Sequence, residues 1–144
     1  MPQTILAFDF GLRRIGVAVG QDVTASASPL GVVSNGPDGV DHPRIRELID
    51  EWQPSRLVVG LPTNADGTDS DITSAARAFA RELGCHDVPV ETIDERYSSI
   101  EAERALKDAR QKGSRGRISK EDVDAAAAVM IAERFLSVIE NNAI

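Results

Sequence analysis

Three acidic residues lie far apart in the sequence, and each is set in a mainly apolar segment. They are Asp9, in a strand-like segment, Glu95, at the end of another, and Asp124, in the last helical segment. A carboxylate among apolar residues loses hydration, and its charge is costly unless a cation or hydrogen-bond donors compensate for it. Carboxylate oxygens are also the ligands that hard divalent cations prefer. If the three side chains converge in the fold, they would form a site for Mg²⁺ or Mn²⁺.

Each of these acids also has a structural interpretation. Asp9 could form hydrogen bonds that stabilise a hairpin, and Asp124 could take part in an ordinary ion pair. Asp94, Glu95 and Arg96 are consecutive, so one of the two acids could simply pair with the arginine. Side chains alternate along a strand, which puts Asp94 and Glu95 on opposite faces without deciding which of them faces a site.

Helix geometry favours Asp124 over Asp122 as the last acid of the group. Ser119 is a predicted N-cap, so Asp122 is most simply a first-turn acid that the helix dipole stabilises. Asp124 lies about 200° further around the axis, in line with an apolar stripe formed by Ala128, Ile131, Phe135 and Val138. Asp124 is therefore predicted to point at the core, and Asp122 is the second choice as a metal ligand.

Several polar residues could contact a nucleic-acid backbone. Arg13 and Arg14 lie on a predicted turn after Asp9, and Asn64 follows a predicted strand end, where it could contact phosphate or orient water. The formal net charge of −7 argues against general coating of nucleic acid. The segment 107–120 is nevertheless locally basic, with Lys107, Arg110, Lys112, Arg115, Arg117 and Lys120 against one acid, Asp108. This basic segment could hold phosphates, or it could be a solvated loop.

Periodicity and turn signals predict an α/β fold. The predicted elements are a β-hairpin over 4–20, a strand over 29–34, a loop over 35–41, a helix over 43–52, a strand over 56–62, a helix over 71–83, a strand over 88–95, a helix over 99–111, a basic loop over 112–118, and a helix from about 120 to 141. An antiparallel start joined to βαβ units predicts a mixed five-stranded sheet flanked by helices. Its first three strands would be antiparallel and the remainder parallel. The length of 144 residues is most simply one domain, 1–144.

Composition excludes several other classes of protein. No apolar run approaches the roughly 20 residues of a membrane-spanning helix, and the first residues lack the basic region of a signal peptide. A cytoplasmic location is therefore expected. The single cysteine, Cys85, excludes an intramolecular disulfide, and the two histidines, His42 and His86, do not have the spacing of a zinc motif.

Four separated segments together resemble one known family, the YqgF-like pre-16S rRNA nucleases, also called RuvX-like Holliday junction resolvases. The matching segments cover the chain in order. They are Phe8-Asp9-Phe10-Gly11-x-Arg13-Arg14-Ile15-Gly16-Val17-Ala18, Val58-Val59-Gly60-Leu61-Pro62-x-Asn64-x-Asp66-Gly67-Thr68, Asp94-Glu95-Arg96-x-Ser98-Ser99-x-Glu101-Ala102 and Val123-Asp124-x-Ala126-Ala127. The resemblance implies a ribonuclease-H-like fold with Asp9, Glu95 and Asp124 as an acidic triad. It also implies a bacterial cytoplasmic role in maturing the 5′ end of the small-subunit ribosomal RNA.

Metal-assisted phosphodiester hydrolysis is therefore the expected chemistry. Asp9, Glu95 and Asp124 would hold Mg²⁺ or Mn²⁺, and the predicted substrate-binding residues are Arg13, Arg14, Asn64, Lys112, Arg115 and Arg117. The expected partner is precursor ribosomal RNA or branched DNA, on a ribosomal particle or free, with a monomer favoured over a dimer. Three alternatives stay open: a resolvase of DNA junctions, a nucleotide-binding switch related to actin-like ATPases, and a ribosome-assembly factor with little turnover.

Overall fold

Six strands form one mixed β-sheet in the computed structural model, which describes residues 3–24, 26–64, 66, 68–94 and 120–142. The strands are β1 (Thr4–Asp9), β2 (Arg14–Gln21), β3 (Ser26–Gly36), β4 (Gly39–Val40), β5 (Arg56–Leu61) and β6 (Val90–Asp94). The helices are α1 (His42–Trp52), α2 (Asp71–Glu82), which runs into a 3₁₀ turn (Leu83–His86), and α3 (Lys120–Asn142). The predicted helix over 99–111 and the basic loop over 112–118 lie outside the described residues.

The strand order across the sheet is β4-β3-β2-β1-β5-β6. The first three strands pair antiparallel, whereas β1, β5 and β6 pair in parallel, so the predicted mixed sheet is confirmed. The prediction of five strands is wrong by one, because β4 forms in the segment 35–41 that was predicted as a loop. Two residues are too few to show a strand's alternating pattern, and the positive φ of Gly39 suits the tight turn that returns the chain to β3.

The two faces of the sheet bury different helices. Leu6 and Phe8 belong to the core on the side of α1 and α2, whereas Ile5 and Ala7 belong to the core under α3. This alternation is the ordinary two-residue period of a strand that is covered on both faces. Odd-numbered side chains of β1 therefore belong to the α3 face, and even-numbered ones belong to the face of α1 and α2.

Small residues on β2 allow α3 to approach the sheet closely. A Cβ atom built on Gly16 would lie 2.0 Å from the backbone oxygen of Asp124, and one built on Gly20 would lie 3.4 Å from the Cβ of Ala132. The helix contributes small buried residues in return, among them Ala128. Close packing of α3 on β2 therefore fixes the position of Asp124 relative to the end of β1.

The apolar stripe of α3 follows its prediction for most of its length. Ala128, Ile131 and Phe135 are buried, but Val138 is 43% exposed. Ile139 packs on the core instead, because the 3.6-residue period rotates the buried stripe over several turns. No helix in the described part of the chain is long and apolar enough to cross a membrane.

The start of α2 is tied to the end of β5. Ser70 caps the helix in a capping box with Thr73, and the Thr73 hydroxyl also donates a hydrogen bond of 2.7 Å to the carbonyl of Pro62. Thr73 is fully buried, so this bond satisfies a polar group that would otherwise be costly to bury. The loop between β5 and α2, which contains Asn64, is thereby anchored at both ends.

Candidate active site

Asp9 ends β1 on the face that α3 covers. It follows Ile5 and Ala7 in the alternation, and in the register of the sheet it pairs with Gly16 on β2 and Gly60 on β5. Both partners are glycines, so neither neighbouring strand places a side chain beside the carboxylate at these positions. The backbone of α3 at Asp124 lies directly over Gly16, and we call the junction of β1, β2 and α3 around Asp9 and Asp124 the carboxylate notch.

Asp124 reaches the same notch from α3. Its Oδ2 atom accepts a hydrogen bond of 3.1 Å from Nε of Arg14, the first residue of β2. The two side chains keep 34% and 28% of their surface accessible, so solvent screens this ion pair and its contribution to stability is modest. Its main effect is orientation, because a guanidinium N–H fixes the direction of the carboxylate.

The environment of Asp9 disfavours its ionised form. Burial, and to a lesser extent the nearby negative charge of Asp124, together raise the pKa of Asp9 from 3.8 to about 7. The two acids are thus close enough to repel each other. The Asp9 carboxyl therefore holds its proton to a much higher pH than an exposed aspartate unless a cation is bound beside it.

The turn between β1 and β2 forms the rim of the notch. A cleft of about 340 Å³ is lined by Gly11, Leu12, Arg13, Arg14, Ile72 and Asp124. Arg13 is exposed at this rim, where its guanidinium is available to an anionic ligand. A Cβ built on Gly11 would lie 2.4 Å from the carbonyl oxygen of Arg14, so this turn requires glycine.

Asn35 on β3 holds this turn in place, and sequence reasoning did not identify it. Its side-chain amide donates a hydrogen bond of 2.8 Å to the carbonyl of Gly11, and its backbone N–H donates one of 2.9 Å to the carbonyl of Arg13. The contacts span more than twenty residues of sequence. No local signal could have revealed them, since Asn35 lies among residues whose composition is typical of a loop.

Asn64 organises the loop after β5. Its side-chain amide donates to the Thr68 hydroxyl at 3.1 Å, and its backbone N–H donates to the Thr68 carbonyl at 2.9 Å. Asp66 accepts a further hydrogen bond from the backbone N–H of Thr68. Asn64 is exposed and follows the carboxyl end of β5, which runs parallel to β1. It therefore lies in a loop at the same edge of the sheet as Asp9.

The remaining predicted site residues lie outside the described part of the chain. These are Glu95, Lys112, Arg115 and Arg117. The side chain of Asp122 is also outside it, so the choice between Asp122 and Asp124 is informed only by the position of Asp124 beside Asp9. Asp94 ends β6 with an exposed carboxylate that accepts a hydrogen bond from the Thr63 hydroxyl.

Two solved structures share this architecture. One is described as "T. thermophilus RuvC in complex with Holliday junction substrate"; it has a TM-score of 0.56 and 16% sequence identity, with 96% of each chain covered. Another, "Thermus thermophilus RuvC structure", has a TM-score of 0.53 at 15% identity with the same coverage. At such low identity the likeness is one of fold, and it confirms the predicted ribonuclease-H-like class.

Curated relatives are much closer in sequence. A protein of Burkholderia lata is 44% identical over 140 residues, which cover 96% of this chain and 92% of that protein. A protein of Shewanella denitrificans is 46% identical over 137 residues, covering 94% of each. A third, from Chromohalobacter salexigens, is 47% identical over 135 residues, covering 92% of this chain and 88% of that protein. All three carry the name "Putative pre-16S rRNA nuclease".

A family model agrees with these relatives. The model described as "RuvX: Holliday junction resolvase" matches residues 3–138, a span that includes Asp9, Arg14 and Asp124. The family predicted from four short motifs is therefore confirmed over nearly the whole length of the sequence. The chain belongs to the RuvX family.

Proposed function

We propose that this protein is a metal-dependent nuclease that hydrolyses phosphodiester bonds in the maturation of precursor 16S ribosomal RNA. The observation that carries the proposal is the pair of neighbouring carboxylates, Asp9 and Asp124, at the carboxylate notch beside Arg14. The names of the curated relatives support the RNA substrate. The chain would act as one cytoplasmic domain, 1–144, and as a monomer.

The described residues fit a hard divalent cation. Asp9 and Asp124 offer oxygen ligands, and the raised pKa of Asp9 means that a cation would replace a proton there and relieve the repulsion between the two acids. Mg²⁺ or Mn²⁺ would be held by Asp9, Asp124 and Glu95. When bound, such an ion would lower the pKa of an attacking water and stabilise the leaving oxygen.

The alternation of β6 is the reason for proposing Glu95 and not Asp94 as the third acid. Ile93 packs against the core under α3, on the face that also carries Asp9. A residue two positions later in a continuing strand would share that face. Asp94 belongs to the opposite set and is already hydrogen-bonded to Thr63.

The protein's own side chains would prepare the site before any substrate arrives. Arg14 directs one oxygen of Asp124, which keeps that carboxylate from rotating freely. Gly16 lets the backbone of α3 pass against β2, which brings the Asp124 carboxylate close to Asp9. Pre-set charges and donors are effective because they need no reorganisation at the moment of reaction.

Basic and amide side chains would bind the nucleic-acid backbone around the cleft. Arg13 is at its exposed rim, and Asn64 lies in the loop at the same edge of the sheet. The other proposed substrate-binding residues are Arg14, Lys112, Arg115 and Arg117. Because the protein carries a net charge of −7, this local charge would govern affinity, and binding would weaken as salt rises.

The decisive experiment compares wild type with Asp9→Asn on a precursor 16S RNA that carries its 5′ extension, in Mn²⁺ or Mg²⁺. Asn keeps the size of the side chain and removes its charge. Asp38→Asn is the matched control, because Asp38 is an exposed residue in the turn between β3 and β4. Cleavage lost only in Asp9→Asn supports the proposal. If wild type, Asp9→Asn and Asp38→Asn all cleaved the RNA equally, the activity would belong to a contaminant.

A DNA junction is the second candidate substrate, and the description of the matching family model favours it. Symmetric cutting of a junction needs two active sites, so it predicts a dimer in solution. The same preparations should be assayed on junction DNA and on precursor RNA, together with a measurement of solution mass. If the protein cuts neither substrate but still binds ribosomal particles, it would instead act as an assembly factor.

A further inference from the structure

Both histidines and the only cysteine of the chain meet on the side of the sheet opposite α3. His42 is the first residue of α1, and Cys85 and His86 lie in the 3₁₀ turn after α2. One nitrogen or sulfur atom from each residue lies within 4.8 Å of the others. This site shares no residue with the carboxylate notch.

The distances within this His–Cys cluster are close to those of a metal centre. Nδ1 of His42 shares a hydrogen bond of 3.0 Å with Nε2 of His86, whose proton a bound ion would replace, and lies 4.0 Å from Sγ of Cys85. In a tetrahedral zinc site, with Zn–N of ~2.0–2.1 Å and Zn–S of ~2.3 Å, ligand atoms are roughly 3.3–3.6 Å apart. Cys85 is exposed, so rotation of its side chain can adjust the longer separation.

The surroundings of the two rings suit metal ligands. Nε2 of His42 lies 3.4 Å from a carboxylate oxygen of Glu82. In the tautomer with a proton on Nε2, Glu82 accepts that hydrogen and the lone pair of Nδ1 is directed at His86 and Cys85. A carboxylate behind a ligating histidine is the usual support in metal sites. His86 is only 6% exposed, so packing restricts its ring, and Nη1 of Arg46 on α1 donates to its backbone carbonyl at 3.2 Å.

We propose that His42, Cys85 and His86 form a binding site for a divalent transition-metal ion of the Zn²⁺ type, with Glu82 orienting His42. The ion would link the start of α1 to the end of α2. Imidazole and thiolate ligands favour Zn²⁺ or Co²⁺ over Mg²⁺, so the site is chemically distinct from the carboxylate notch. Three protein ligands leave a fourth position for water.

Cobalt is the probe for this site, because Co²⁺ bound by a thiolate absorbs through ligand-to-metal charge transfer. Co²⁺ is titrated into the full chain carrying Asp9→Asn, with a non-thiol reductant present to keep Cys85 reduced. We expect one equivalent per monomer with a charge-transfer band. Zn²⁺ should displace the Co²⁺, and millimolar Mg²⁺ should not.

Variants decide which residues bind the ion. Cys85→Ser should abolish the charge-transfer band and weaken binding at least ~10-fold, His42→Gln should also weaken it, and Glu82→Gln should weaken it by roughly 10–100-fold. The control is Asp87→Asn, next to His86, where φ is +60° and Asn is tolerated. It should bind Co²⁺ within about twofold of the parent chain.

Two results would overturn the proposal. The first is a parent chain that shows no charge-transfer band, or shows it only as a dimer with one ion shared by two chains. The second is a parent chain and a folded Cys85→Ser variant with the same Co²⁺ affinity. The tests substitute Cys85, which is exposed, and His42, which is half-buried, and they leave the buried His86 in place. Circular dichroism verifies that each variant is folded.

Discussion

The two faces of the sheet carry two clusters of ligating side chains that are built in different ways. On the α3 face, Asp9 and Asp124 meet because glycines on β2 let a helix approach the end of a strand. On the other face, His42, Cys85 and His86 meet where the end of one helix approaches the start of another. The first cluster offers hard oxygen ligands and the second offers nitrogen and sulfur. The sheet thus keeps hard oxygen ligands on one face apart from nitrogen and sulfur ligands on the other, which is the basis of the two metal sites proposed above.

The largest expected effect tests whether the two clusters are independent. Asp9→Asn or Asp124→Asn should lower the rate of RNA cleavage at least about 100-fold, because charge complementarity at a reacting group contributes on this scale. Neither substitution should change the affinity of the His–Cys cluster for Co²⁺. Cleavage is measured under single-turnover conditions and Co²⁺ binding by absorption. A loss of Co²⁺ binding in either variant would contradict the separation.

The next prediction concerns how stability depends on pH, which should reflect the buried Asp9 carboxyl on the α3 face and not the His–Cys cluster. Asp9 has a pKa of about 7 in the folded protein and an ordinary value of 3.8, so between these values the folded state binds more protons than the unfolded state. The stability of metal-free protein should therefore fall as pH rises from about 4 to 7 and stay low above that. The pKa shift of Asp9 corresponds to a change in the free energy of unfolding of about 4 kcal/mol at most.

The measurement for this prediction is urea unfolding in EDTA at several pH values, for wild type and Asp9→Asn. Asn stands in for the protonated acid, so the variant should equal wild type near pH 4 and exceed it near pH 8. Added Mn²⁺ should restore the stability of wild type at high pH and leave the stability of the variant largely unchanged. Identical pH profiles for the two proteins would show that Asp9 is not held in a destabilising environment.

The close approach of α3 to β2 can be tested at Gly16. Gly16→Ala places a Cβ 2.0 Å from the backbone oxygen of Asp124, so the helix must shift, at a cost of about 1–3 kcal/mol. Cleavage should fall as well, because Asp124 moves with the helix. Gly36→Ala is the control, since a Cβ there meets nothing within 4 Å. Equal unfolding free energies for the two variants would contradict this packing.

The smallest expected effect separates the two roles proposed for Arg14. Arg14→Gln removes a partly exposed ion pair, so stability should change by less than about 1 kcal/mol. If Arg14 mainly orients Asp124, kcat should fall more than KM rises; if it mainly binds phosphate, KM should rise and its salt dependence should weaken. Arg44→Gln, at another exposed ion pair, should change neither constant.

The sequence predicted the elements well wherever the signal was local. The hairpin around Asp9, the apolar period of α2 and the long final helix follow from residues close in sequence, because strand alternation and helix periodicity act over a few residues. The short strand β4 escaped prediction for the same reason, since two residues carry no period. The predicted elements limited the fold to a mixed α/β sheet, and the four family motifs identified it as ribonuclease-H-like.

By itself, the sequence determined which residues could do chemistry: an acid in an apolar strand, an acid on the inner face of a helix, and a glycine-rich turn. Only the tertiary structure decided which of them meet. The hydrogen bond between Arg14 and Asp124 spans 110 residues and that between His42 and His86 spans 44. Such contacts depend on strand register and helix docking. These are set by packing across the whole core, and no local pattern encodes them.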